Sequence, residues 1–202
     1  MLVLATSATV GRAQTLPAAS PGRLPSLWSE AALSLGPYVW HATSTYVSTD
    51  EPEPARHQER TWTMLGGAIG ISLGGWLGEH IALGGTLRIG LAAAVEPSEL
   101  LKVSPAPFFA FQACALFSQQ QKHGWRLLLS GGVGALLSRG TAPFGPAAGF
   151  ELGYAFSVQA HVVTLGLGGD LMVGFASNEG EYGRYEDRDL LVMPGASVRL
   201  AL

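Results

Sequence analysis

Large apolar side chains recur at every second position along several stretches of this chain, a spacing that belongs to strands with two unlike faces. In 81–93 the odd positions are Ile81, Leu83, Gly85, Leu87, Ile89, Leu91 and Ala93. The even ones are Ala82, Gly84, Thr86, Arg88, Gly90 and Ala92. The same alternation sets Val163, Leu165, Leu167, Leu171, Val173 and Phe175 against Thr164, Gly166, Gly168, Asp170 and Gly174. It sets Phe150, Leu152, Tyr154, Phe156 and Val158 against Glu151, Gly153, Ala155 and Ser157. The chain end repeats it, with Val192, Ala196, Val198, Leu200 and Leu202 opposite Gly195, Ser197 and Arg199. A helical period would scatter Arg88, Glu151 and Asp170 over unrelated directions.

Eight such segments are expected: 31–44, 61–75, 80–94, 106–117, 124–138, 147–157, 161–176 and 190–202. Each matches or exceeds the roughly 9–11 residues with which a tilted strand crosses a bilayer. Long connections near 45–60, 95–105, 139–146 and 177–189 alternate with short ones near 76–79, 118–123 and 158–160. Long loops outside and short periplasmic turns are the habit of up-and-down membrane barrels. The first and last long connections carry Asp50, Glu51, Glu53, Arg56, Glu59 and Arg60, then Glu179, Glu181, Arg184, Glu186, Asp187, Arg188 and Asp189.

Composition agrees with a surface turned toward lipid. The chain is 48% hydrophobic and only 13% charged, about half the charged fraction of an ordinary soluble domain. The net charge of −3 and the scattered basic residues offer no footprint for nucleic acid. The single cysteine, Cys114, excludes an internal disulfide and reads as a small buried filler. Residues 1–13 read as the remnant of an export signal, with the apolar run Leu2 to Val10 and a cut expected after Ala13. Residues 14–29 read as a Pro/Ser-rich linker and 30–202 as one barrel domain.

On this pattern, over about 31–202, the chain resembles the OmpA-like and OmpX-like small outer-membrane barrels. The resemblance implies an all-β, closed, antiparallel, eight-stranded barrel in a bacterial outer membrane. Two features depart from that family. The chain ends on Leu202 where an aromatic is usual, and the anchoring role of a peptidoglycan-binding domain is not carried over.

Closure follows from the solvent. In hydrocarbon every backbone N–H and C=O must be satisfied within the sheet, so an open edge is excluded. Small residues on the inner face suit the narrow bore of eight strands. By phase Arg88, Arg126, Arg199, Glu151 and Asp170 point inward, and they are expected to pair because unpaired charges there are costly. Trp40 and Trp62 flank the first long connection, and Trp76 and Trp125 lie near short turns, as in aromatic belts. Strict alternation puts Trp62 and Trp76 with Met64, Gly66, Ala68 and Ser72 on the inner side. Either a bulge shifts the phase or these rings cap the barrel ends.

No catalytic constellation stands out. His41, His80, His123 and His161 fall at strand ends or turns and His57 in a loop, without metal-ligand spacing. No G-x-S-x-G elbow occurs. His41 with Ser44, or His161 with Ser157, is the pairing a lipid-modifying barrel enzyme would use, but neither has a third member in the sequence. Tyr182, Arg184 and Tyr185 in the last long loop are candidate contacts for an extracellular ligand or protein. The expectation is a monomeric, non-enzymatic barrel with a structural or surface-interaction role and a lumen plugged by charged pairs. No cofactor or metal is expected, and the expected partner is membrane lipid. The alternatives are a small gated pore, a lipid-modifying barrel enzyme and a multi-helix inner-membrane protein, the last suggested by the uncharged stretch 61–78. A soluble lipocalin-like barrel would need a charged exterior that this chain lacks.

Overall fold

The computed structural model describes residues 26–48, 56–94, 105–137, 142–180 and 183–202. They form eight strands: β1 (Leu27–Ser48), β2 (Arg56–Trp76), β3 (Ile81–Ala94), β4 (Pro105–Ser118), β5 (Gly124–Leu136), β6 (Phe144–Val158), β7 (His161–Gly180) and β8 (Gly183–Ala201). Each pairs antiparallel with its sequence neighbours, and β8 returns to β1, so the sheet closes into a barrel. All eight expected segments are present as strands, which removes the helical inner-membrane reading.

The predicted boundaries fail on the long-connection side. The stretch 177–189 was expected to be a loop, yet β7 and β8 pair as far as Gly180↔Gly183. The stretch 45–60 likewise narrows, because β1 and β2 pair out to Tyr46↔Arg56. His57, expected in a loop, is therefore a strand residue, and β6 begins at Phe144 rather than near 147. These extensions lie in water, where polar side chains are free to occupy both faces of a strand, so apolar alternation stops before the hydrogen-bonded ladder does. The other end differs too. β1 starts at Leu27, inside the expected linker, while residues 1–25 lie outside the described residues.

The facing follows the alternation. Leu83, Leu87, Ile89 and Leu91 are exposed on β3 while Thr86 and Arg88 are buried. The same outward apolar face continues through Leu65, Ile69 and Ile71 on β2, Phe109 and Phe111 on β4, and Leu165 and Leu167 on β7. A belt of this size in water would be an aggregation site; around a closed barrel it is a surface made for hydrocarbon. Trp125 and Tyr154 meet edge to face at 5.5 Å on this outer face, near the short turns.

Two close approaches shape the interior. A Cβ on Gly90 would lie 2.0 Å from the ring of Phe108, so glycine at this point lets the ring lie flat against the wall. At the closing seam, β1 and β8 pair at Leu35↔Ala196 and again at Val39↔Val192 in the same register, with the intervening rungs missing. In that register Pro37 faces Pro194, and neither has an N–H to give the ladder.

Candidate functional site

Alternate positions on tilted strands project into one bore, so residues far apart in sequence converge there. The inward residues form two apolar clusters and a network of charge. Toward the long-connection end, Tyr38, Met64, Phe108, Leu136, Met172 and Leu191 belong to one apolar cluster, with Trp40 and Trp62 packed against it. Toward the short turns, Trp28, Trp76, Ala82, Cys114, Leu116 and Leu128 form a second. Alongside them runs a network of charge that reaches down to the β4–β5 turn.

The network brings together all five residues that the phase assigned to the lumen and adds a sixth, Glu30. Arg199 grips Glu151 in a bidentate pair, Nε to Oε1 at 2.7 Å and Nη2 to Oε2 at 2.8 Å. Its Nη1 lies 3.8 Å from Glu30 Oε2 and donates to Ser72 Oγ at 3.4 Å. Arg88 bonds Asp170 and lies 3.7 Å from the second oxygen of Glu151. Arg126 donates to Glu30 Oε1 at 2.6 Å and to Thr164 Oγ1 at 3.2 Å, and it also bonds the carbonyl of Gln121 in the β4–β5 turn. Three guanidinium groups thus meet three carboxylates, and Ser72 and Thr86 extend the network through a 3.1 Å hydrogen bond. Charges taken this far from water are sustained only by such mutual pairing. Glu30 was overlooked because it was placed at the boundary of a linker. Its signal was available, since Leu33 and Leu35 set the outward parity of β1 and make position 30 inward.

The tryptophans resolve the phase question. β2 pairs with β1 and β3 without a break, so no bulge shifts it. Trp76 is buried at the short-turn end, and Trp62 stacks on Trp40 at 4.6 Å near the other. Both rings therefore cap the bore, and Trp40 joins them rather than the outer belt. Trp28, inside the expected linker, is also buried within the bore.

Neither His–Ser pairing forms a hydrogen bond. His41 Nδ1 meets Thr61 Oγ1 at 2.8 Å, His57 Nδ1 meets Thr45 Oγ1 at 3.1 Å, and Ser157 donates to the carbonyl of Lys122 at 3.4 Å. Among the described residues no three His, Cys, Asp or Glu side chains are grouped to hold a metal. Of the surface candidates, Arg184 is exposed and 3.2 Å from Glu186, and Tyr185 stacks on Tyr46 at 4.7 Å. Tyr182 lies outside the described residues.

No protein-family model matches this chain, and no curated protein matches it. Solved structures do resemble it in fold. Ail, the attachment invasion locus protein of Yersinia pestis, is 11% identical, with 84% of this chain and 98% of that one covered at a TM-score of 0.32. The outer membrane protein OprG from Pseudomonas aeruginosa is 10% identical, with 85% and 95% covered at 0.43. The outer membrane protein AlkL, in lipid bilayers, is 15% identical, with 94% and 97% covered at 0.39. At such identities the likeness concerns fold. That this chain is a membrane-spanning eight-stranded barrel stands on its own strand pairing and apolar exterior.

Proposed function

We propose that this chain is a non-catalytic bacterial outer-membrane barrel whose lumen is closed and whose outer hairpins serve a structural or surface-interaction role. The observation that carries the closed lumen is the neutral network of Arg88, Arg126, Arg199, Glu30, Glu151 and Asp170, which occupies the bore together with two apolar clusters. An ion crossing such a bore would have to displace the bidentate Arg199–Glu151 pair and the ion pairs around it, and shed its water between aromatic caps. Hydrophobic constriction and a filled eight-stranded interior both oppose that.

The surface role is supported by the height of four strands. β1–β2 and β7–β8 pair well beyond the last rungs that β2 makes with β3, at Met64↔Ala94, and that β6 makes with β7, at Phe144↔Phe175. The Tyr46–Tyr185 stack ties β1 to β8 in this projection, which presents Arg184 and Tyr185 to solvent. Rigid aromatic and arginine side chains are frequent anchors of protein interfaces.

Planar-bilayer recording of the purified barrel tests the closed lumen. The expected record is a flat baseline at applied voltages that open large-bore porins. Steady unitary steps from the wild-type protein would overturn the reading in favour of a pore.

A further inference from the structure

The closing seam contains a rung that has no hydrogen bond to make. Leu202 N donates to the Ser29 carbonyl at 3.0 Å, so odd residues of β1 and even residues of β8 turn their backbone groups toward each other across the seam. In the register that runs from Leu35↔Ala196 to Val39↔Val192, the next such pair is Pro37 and Pro194. Each brings a carbonyl and no N–H. Hydrocarbon offers these carbonyls nothing. Backbone outside the ladder persists at membrane depth only where it is buried in protein or lines a water-filled cavity.

A cavity does lie there. It measures about 20 Å³, with Gly36, Met193, Pro194 and Gly195 on the seam side and Tyr38, Arg88, Glu151 and Asp170 on the bore side. A Cβ at the inward-facing Gly36 would run into the Pro194 carbonyl oxygen, so this oxygen leans over the inner surface of the wall, on the cavity's side. Asp170 supplies a second acceptor without a donor. Arg88 bonds its Oδ2, while Oδ1 is buried with no hydrogen-bond partner among the described residues. The Asp170 side chain keeps 13% exposure against 6% for Glu151 and 2% for Glu30, so it is the carboxylate of the network that a water molecule reaches most readily.

We propose that this cavity is a binding site for one ordered water, which donates one O–H to the Pro194 carbonyl and the other to Asp170 Oδ1 and so takes the place of the missing rung. Two acceptors without donors select a molecule that donates twice. The volume exceeds the roughly 10–15 Å³ that one water needs and leaves little for anything larger. A cation would also suit two oxygens, but it would add charge beside Arg88 to a network in which three arginines already balance three acids. The site rests on the membrane-barrel reading.

The test uses the full chain, isotopically labelled, in bilayers of deuterated lipid. Solid-state NMR follows magnetisation from water into the side-chain carboxyl carbons. The expected result is early transfer to Asp170 and late transfer to Glu30, which is likewise bonded to an arginine but does not line the cavity. Ser34 also lines it, and Ser34→Val, which fills the space, should remove the early transfer to Asp170. Pro37→Ala returns an N–H opposite the Pro194 carbonyl, occupies that acceptor and should slow the transfer. A mobility shift on boiling in SDS checks that each variant is still a closed barrel. Late transfer to Asp170 in the wild type, or early transfer that survives Ser34→Val, overturns the site. Unchanged transfer in Pro37→Ala overturns the part given to the seam carbonyl. Early transfer to both carboxylates would mean a hydrated bore, and would overturn the single-water assignment together with the closed lumen. A signal that follows the sodium or potassium concentration would give the cavity to a cation instead.

Discussion

Arg199 and Leu200 are neighbours on β8, yet they live in different solvents. Arg199 is 3% exposed, and two carboxylates and a hydroxyl dictate its position. Leu200 is 38% exposed on the opposite face of the strand, in the apolar belt. The inner face of this wall is a set of specific partnerships, and the outer face is a requirement for hydrophobicity with little demand for shape. One strand satisfies both because its side chains alternate. Substitutions should therefore be judged by partner inside the barrel and by polarity outside it.

The largest effect is expected where an inner partnership is broken. Glu151 serves both Arg199 and Arg88, so Glu151→Ala leaves two buried guanidinium groups short of a carboxylate. The expected loss is about 3–5 kcal/mol in urea unfolding from lipid vesicles. A loss below about 1 kcal/mol would mean that lumen water screens the network, and the contrast between the faces would be weaker than drawn. Outside, the severe change is one of polarity. Leu87 is exposed on the lipid face between Thr86 and Arg88, and Leu87→Arg should cost about 2–4 kcal/mol near the bilayer midplane and reduce the yield of assembled barrel. Normal yield in that variant would overturn the facing assigned to β3.

How much of this was legible before the structure depends on the solvent at each position. Within the membrane, lipid and bore demand opposite chemistries on alternate residues, so the eight strands and the inward parity of Arg88, Arg126, Glu151, Asp170 and Arg199 could be read directly. Above the membrane both faces meet water, and Glu186, Asp187 and Arg188 read as loop although they continue β8. At the N-terminal boundary, Pro and Ser in the preceding stretch hid the start of β1, and with it Trp28 and Glu30. Which acid meets which arginine was not legible either, because strand order and register decide it and the hydrogen-bonded acid–arginine partners lie 48 to 96 residues apart. The facing of Pro37 and Pro194 across the seam needed the rungs themselves, which only the register supplies.

The watery extensions offer an intermediate case, where neither lipid nor tight packing applies. There the Tyr46–Tyr185 stack is a specific contact between β1 and β8. A double-mutant cycle with Tyr46→Ala and Tyr185→Ala should give a coupling of about 0.5–1.5 kcal/mol, the usual worth of an aromatic pair. Additive effects would show that the two rings contribute nothing through each other to holding the projection upright.

The sharpest form of the comparison needs only one residue type on one strand. Phe108 and Phe111 both belong to β4, but Phe108 is 2% exposed and Phe111 63%. Phe108 lies over Gly90 and meets Tyr38 edge to face at 5.8 Å, so its ring fills a shape that other side chains define. Phe108→Leu should cost about 1–3 kcal/mol, combining lost packing with the lost aromatic contact. Phe111→Leu exchanges one apolar group for another against fluid lipid and should stay within about 0.5 kcal/mol of wild type. Paired unfolding titrations in the same vesicles measure the difference directly. Equal costs would mean that the outer face is as shape-specific as the bore, because lipid chains or a second barrel pack against Phe111 as closely as Tyr38 packs against Phe108.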